Sequence, residues 1–228
     1  MRLIFIHGSG GSKESWTFQT RYFKNSEAVD LPGHPHGRLY PTIPEYTAWL
    51  KAYIDGQGYQ DVVLAGHSLG SGIALQYALD HPQGLKAIIS VGGGARLRVH
   101  PMYLEPLEKA LTDPALWKQT VDARRDRIPP DLSDVLKRRM MENGPQAFLG
   151  DMRACDRFDV MNRLAEIHLP ALALCGDEDV MTPPKYSHFL ADKIPGCRAV
   201  IIPGGTHMAF AEKPDEVNRT IEEFLAGL

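Results

Sequence analysis

Cysteine is scarce in this chain: Cys155, Cys175 and Cys197 are the only three in 228 residues, with no CxxC pair and no Cys/His ligand spacing. An odd count without that spacing disfavours a disulfide framework and a zinc site, and a reducing, cytoplasmic setting is expected. Charge of one sign is lacking too. The formal net charge is −3, with no block of like charges, which argues against nucleic acid or an anionic membrane as the main partner. No run approaches the roughly 20 apolar residues of a membrane span, and the opening MRLIFIHG reaches a glycine too soon for a signal peptide. Internal repeats and low-complexity tracts are missing as well. The length fits one sizeable domain, or one domain with a large insertion, and the expected partner is a small neutral or mildly polar molecule.

The apolar residues that are present come in short continuous runs ending at glycine, aspartate or proline: RLIFIHG, SEAVDLPG, DVVLAGHS, KAIISVGGG, PALALCGD and RAVIIPGG. Runs without polar alternation are the pattern of strands buried on both faces, hence of a parallel sheet. Helical patterns lie between several of them. One opens with Thr42 and Glu45, spaced as a capping box, and carries Tyr46, Trp49, Leu50, Tyr53 and Ile54 on one face. Another follows Ser68, and a third begins near Pro214. Strands alternating with helices predict an open α/β fold, a mostly parallel sheet of about six strands with helices on both faces.

From about Ala95 to Ile167 the alternation stops. No strand run is visible, and short helices are expected between Pro101, Pro106, Pro114, the Pro129–Pro130 pair and Pro145. This is a candidate cap: residues 95–167 inserted into a core formed by 1–94 and 168–228. Met102, Tyr103, Leu107, Trp117, Met140, Met141 and Phe148 are its apolar residues, most of them expected to form its own small core. Its thirteen lysines and arginines raise an acidic substrate as an alternative to a solvated surface.

The chemistry starts at Gly66-His67-Ser68-Leu69-Gly70, a G-x-S-x-G pentapeptide between a β-branched run and a helical pattern. A sharp strand-to-helix turn there would hold the serine hydroxyl exposed, and glycines two residues away on each side avoid collisions in that turn. A serine needs a base, and the base needs an orienting group. His67 is its neighbour, but adjacent side chains in so tight a turn point apart. Active sites of open α/β sheets lie beyond the carboxyl ends of the strands. His207 follows a strand run, whereas His168 precedes one and His188 falls on a helical pattern. For the carboxylate, Asp177, Glu178 and Asp179 all follow a strand, and position alone does not choose. An oxyanion needs two donors: HGSGGS, residues 7–12, follows the first strand run and offers one N–H, with that of Leu69 as the second. As a nucleotide-binding loop it fails, because Lys13 stands where GxGxxG has its last glycine.

In HGSGG, DLPGH, GHSLG, GDEDVMTPP and GGTHMAF, in that order, the sequence resembles the α/β-hydrolase superfamily over nearly its whole length. The resemblance implies the order serine, acid, histidine. It implies Asp179 as the acid, through Gly176 and Pro183, and the Ser9 backbone as the loop donor. The catalytic set it implies is Ser68, Asp179 and His207, with an oxyanion hole from the N–H groups of Ser9 and Leu69 and no cofactor or metal. It also implies that the helical interval is a cap after the fourth of six strands. Members typically begin with an antiparallel hairpin that is absent here, so a shortened sheet is expected. DLPGHPHG departs from the family's DLPGHG; His34 and His36 lack companions for a metal site and are expected to shape the pocket's edge.

A serine nucleophile disfavours the dehalogenases and epoxide hydrolases that the sequence otherwise resembles. Hydrolysis of small carboxylic esters through an acyl-enzyme is the expected activity. Enol-lactone, thioester and C–C hydrolysis are alternatives on the same residues, and a ligand-binding receptor with little turnover is the alternative of another class. The methionines and aromatics of the interval point to an apolar pocket. Oligomeric state is not readable.

Overall fold

The computed structural model describes residues 1–123 and 127–228. Each of the six apolar runs is a strand: β1 (Arg2–Ile6), β2 (Ser26–Val29), β3 (Val62–His67), β4 (Leu85–Val91), β5 (Ala171–Gly176) and β6 (Arg198–Ile202). They form one sheet in the order β2-β1-β3-β4-β5-β6, with every pairing parallel. β3 and β5 are buried along their whole length, the reason their sequences show no polar alternation.

Alternate strand residues feed two cores. Ile4, Ile6 and Leu64 point to one face, where they meet Tyr46 and Leu50 of α2 (Ile43–Gly56), Ile73 of α3 (Leu69–Asp80) and Leu190 of a later helix. Leu3, Phe5 and Val63 point to the other, against Trp16, Phe210, Val217 and Ile221. Each fully buried side chain of this size contributes about 1.5–3 kcal/mol. The predicted cap of α2 forms: the Glu45 N–H donates to Thr42 Oγ1 at 3.4 Å. The remaining core helices are α1 (Thr17–Tyr22), ahead of β2, and three in the last quarter of the chain.

Between β4 and β5 the chain runs through α4 (Pro101–Ala110), α5 (Pro114–Asp122) and α6 (Pro130–Arg157), with one isolated β-bridge between Arg96 and Asp159. Pro101, Pro114 and Pro130 open these helices, where a missing N–H leaves nothing unpaired. Pro106, expected between helices, lies inside α4. The break expected near Pro145 is a kink in α6 at Gly144, φ 78°. Arg124 and Arg125, counted among the basic residues of the interval, lie with Asp126 outside the described residues. The last helices are α7 (Pro184–Lys193), α8 (Ala209–Glu212) and α9 (Pro214–Ala226). The chain leaves β1 toward β2 on one side and continues from β3 on the other. The crevice at the carboxyl ends of β1 and β3 is therefore a topological switch point, the usual ligand position in such sheets.

Candidate active site

Ser68 sits at the turn from β3 into α3 with φ 52° and ψ −111°, a left-handed conformation that costs a non-glycine residue on the order of 1–3 kcal/mol. The turn is tied down by Ser68 N–H donating to the Val91 carbonyl at 3.0 Å. Both flanking glycines are required by space. A Cβ at Gly66 would run into the Gly70 carbonyl, and one at Gly70 into the carbonyl of Ile6.

His207, in the loop after β6, donates from Nδ1 to Asp179 Oδ2 at 2.8 Å. Asp179 follows β5, and its side chain is fully buried. Its Oδ1 accepts the N–H groups of Met181 and Thr182, both at 2.9 Å, and Oδ2 accepts the Thr182 hydroxyl at 2.8 Å. Burial pushes the pKa of Asp179 up, but the hydrogen bond and charge of His207, with the Thr182 donors, outweigh it and hold the carboxyl below the ordinary range. The neighbouring acids do other work. Asp177 is exposed and accepts Gly204 N–H at 2.7 Å, while Glu178 pairs with Arg127 at 2.8 Å. His168 precedes β5, and His188 lies on α7. His67 turns away from the serine: its Nε2 lies 2.9 Å from the His207 carbonyl, and its ring packs between those of His207 and Phe210.

Loop 7–12 after β1 lies against the serine, so that a Cβ on Gly8 would come within 3.2 Å of Ser68 Cβ. The Gly10 N–H donates to Asp151 at 2.8 Å and the Gly11 N–H to the Gly8 carbonyl at 3.0 Å. Ser9 N–H makes no hydrogen bond among the described residues. Leu69 N–H opens α3, where helix N–H groups have no intrahelical partner and favour negative charge.

Behind the loop is a buried polar cluster. His34 and Asp151 pair at 2.8 Å with both side chains fully buried, and Asp151 also accepts the Tyr46 hydroxyl at 2.9 Å. Burial alone would lower the His34 pKa; the charge and hydrogen bond of Asp151, with the Leu31 and Pro32 carbonyls, raise it instead. His7 accepts Leu31 N–H on Nε2 at 3.0 Å and donates from Nδ1 to the Gly8 carbonyl at 2.9 Å. Burial, aided by the neighbouring His34, lowers its pKa to about 3, so it stays neutral. The expectation that His34 and His36 shape the pocket's edge is thus corrected: His34 is buried in the Asp151 pair, His36 is exposed, and neither lines the cavity. Among the described residues no group of three or more His, Cys, Asp or Glu could hold a metal.

Ser68, His207 and Ser9 line one cavity of about 440 Å³. Its other walls include Met102, Tyr103, Met140, Phe148, Met181 and Met208. No Asp, Glu, Lys or Arg is among the described lining residues, so the described basic side chains of the interval do not line the cavity that holds the serine. Leu107, Trp117 and Met140 do form the interval's own core as expected, yet Leu107 and Met140 also reach the cavity. Asp151, Asn143 and Thr182 escaped the sequence reading. The only signal for Asp151 was its place with Phe148 and Cys155 on one helix face.

A family model described as the alpha/beta hydrolase family matches residues 3–220. A pimeloyl-[acyl-carrier protein] methyl ester esterase of Neisseria meningitidis serogroup B is 28% identical over 249 residues, covering 99% of this chain and 93% of that protein. A solved thermophilic esterase is 30% identical, with a TM-score of 0.84 over 99% of this chain and 90% of the other. The enol-lactonase of Burkholderia xenovorans LB400 has the same fold, with a TM-score of 0.87 at 20% identity over 99% of this chain and 91% of its own. With the family model spanning nearly the whole length, and the strand order, elbow and strand-end loops described above, the chain belongs to the alpha/beta hydrolase family.

Proposed function

We propose that this protein is a serine carboxylesterase for small, uncharged esters, with Ser68 as nucleophile, His207 as base and Asp179 as orienting acid. The observation that carries the reading is the 2.8 Å bond from His207 Nδ1 to the buried, fully coordinated Asp179, in a histidine that shares the apolar cavity with a strained serine. That bond holds the ring with Nε2 available to the serine. Ser68 Oγ attacks the ester carbonyl carbon as its proton passes to His207 Nε2, and the carbonyl π pair moves onto oxygen. The N–H groups of Ser9 and Leu69 take that charge, a contribution on the order of a hundredfold in rate for one donor. Collapse breaks the bond to the alkoxy oxygen, which leaves as alcohol with the proton from His207. Water, deprotonated by the same ring, then releases the acid. No step needs a cofactor. Residues 95–167 act as a cap over a core of 1–94 and 168–228. Three unpaired thiols suit a cytoplasmic setting.

The neutral lining supports uncharged acyl groups, since burying an unpaired carboxylate in such a cavity costs several kcal/mol. The test is steady-state hydrolysis of p-nitrophenyl acetate, butyrate, octanoate and laurate, with the mono-p-nitrophenyl ester of succinic acid as the charged comparison. Turnover that vanishes in Ser68→Ala, with butyrate favoured over succinate by about tenfold or more in kcat/KM, is expected. Absence of Ser68-dependent turnover on all of them would overturn the esterase reading and turn attention to lactones, C–C bonds and a receptor role.

A further inference from the structure

The oxyanion-binding loop carries three glycines, Gly8, Gly10 and Gly11, and a backbone so permissive holds no direction unless something external fixes it. The fixing groups come from one helix. Asn143 Nδ2 donates to the Gly11 carbonyl at 2.6 Å and to that of Gly10 at 3.2 Å. Asp151 Oδ2 accepts the Gly10 N–H at 2.8 Å. Between these two residues, the Phe148 ring packs so closely on Gly10 that a Cβ there would meet it at 2.9 Å. The kink at Gly144 separates Asn143 from the straight face of Phe148 and Asp151. α6 therefore engages both the N–H and the carbonyl of Gly10.

The consequence reaches Ser9 through peptide planarity. In a trans peptide the N–H points opposite to the carbonyl of the same unit, so whatever holds the Gly8 carbonyl aims the Ser9 N–H. That carbonyl accepts from Gly11 N–H at 3.0 Å and from His7 Nδ1 at 2.9 Å, and Gly11 is the residue whose own carbonyl Asn143 holds. A buried pair such as His34 with Asp151 is weak evidence for stability, because apolar side chains of the same volume often do as well. A carboxylate facing a loop N–H does something an apolar group does not: it sets direction.

We propose that Asp151 and Asn143 are positioning residues that clamp loop 8–11 onto α6 and so hold the Ser9 N–H toward the developing oxyanion. The proposal rests on the esterase reading and on Ser9 as a donor. The test compares Asp151→Leu, Asp151→Asn and Asn143→Asp with the unmodified protein by kcat and KM on p-nitrophenyl butyrate, thermal melting, and inhibition by an alkyl trifluoromethyl ketone. The ketone becomes a tetrahedral oxyanion on the serine. Asp151→Leu and Asn143→Asp are expected to lower kcat by about tenfold to a hundredfold with KM within about threefold. Ketone affinity should fall in step with kcat/KM. Asp151→Asn should recover most of the loss, because its amide oxygen still accepts Gly10 N–H. Variants that melt like the unmodified protein yet keep both kcat and ketone affinity overturn the clamp. If Asp151→Leu does not fold, Asn143→Asp decides, since Asn143 is only partly buried. Failure of the unmodified protein to turn over esters would remove the esterase reading and the clamp with it, a result distinct from full turnover with indifferent variants.

Discussion

Replacing Asp179 by asparagine keeps shape and changes one thing. Oδ1 is held by the N–H groups of Met181 and Thr182, each at 2.9 Å, so the asparagine carbonyl oxygen must take that position. The amide nitrogen is then driven to the place of Oδ2, against His207 Nδ1 and the Thr182 hydroxyl. A donor facing Nδ1 forces the ring proton onto Nε2, where it blocks acceptance of the serine proton. In a serine protease the same exchange costs about 10⁴ in kcat, or roughly 5 kcal/mol of transition-state stabilisation. A loss of that order is expected here, with KM little changed. Asp177→Asn is the control: that carboxylate is exposed and serves a single loop N–H at 2.7 Å. An exposed bond of this kind is worth on the order of 1 kcal/mol of stability, and activity should stay near that of the unmodified protein. The assay is kcat and KM for p-nitrophenyl butyrate over neutral to alkaline pH. Asp179→Asn retaining kcat within about tenfold, or Asp177→Asn losing as much as Asp179→Asn, would refute the tautomer argument.

Two stability predictions accompany it. Gly66→Ala is expected to destabilise by about 3 kcal/mol or more, because its Cβ meets the Gly70 backbone. Gly56→Ala, at the end of α2 with nothing within 4 Å, should melt at or above the unmodified temperature; equal melting of the two would show that the elbow yields. His7 predicts an acid limb. Its pKa falls from 6.5 to about 3 on folding, so below about pH 6.5 the unfolded chain gains a proton that the folded one refuses. Stability should fall by about 3 kcal/mol between about pH 7 and pH 4. The raised pKa of His34 acts in a different window: its contribution is full below the unfolded value and is lost as pH rises through the folded one. Urea unfolding across that range checks this, and an equally steep acid limb in His7→Gln would assign it elsewhere.

Much of the molecule was legible because its signals are local. Six short apolar runs marked six strands, of which the inner four are largely buried and the edge strands β2 and β6 only partly, and Thr42 with Glu45 marked a helix start that forms as read. The spacing of Gly66 and Gly70 around Ser68 revealed a crowded turn without any coordinates. Strand ends narrowed the candidate base to His207 but left three candidate acids open, since residues 177–179 share one loop; the family resemblance favoured Asp179, the acid found bonded to His207. The buried cluster behind the loop was illegible for the opposite reason. Gly10 and Asp151 are 141 residues apart, and His34 and Asp151 are 117 apart. Nothing in either segment announces its partner, and a polar residue on a helix reads by default as solvated.

The engagement of α6 with the loop after β1 changes how the interval between β4 and β5 can be exchanged. Strand pairing passes directly from β4 to β5, so grafting another helical insert between them leaves the sheet intact and looks like a simple route to a new specificity. Yet the donor segment would also have to supply a carbonyl-binding amide, a ring and a carboxylate in the places of Asn143, Phe148 and Asp151. A chimera without them would inherit a new pocket and lose the side chains that hold the loop after β1. α6 thus meets the cavity with one side and the loop after β1 with another, and under the proposed clamp a change to its cavity side is separable from its loop side only if that face is copied intact.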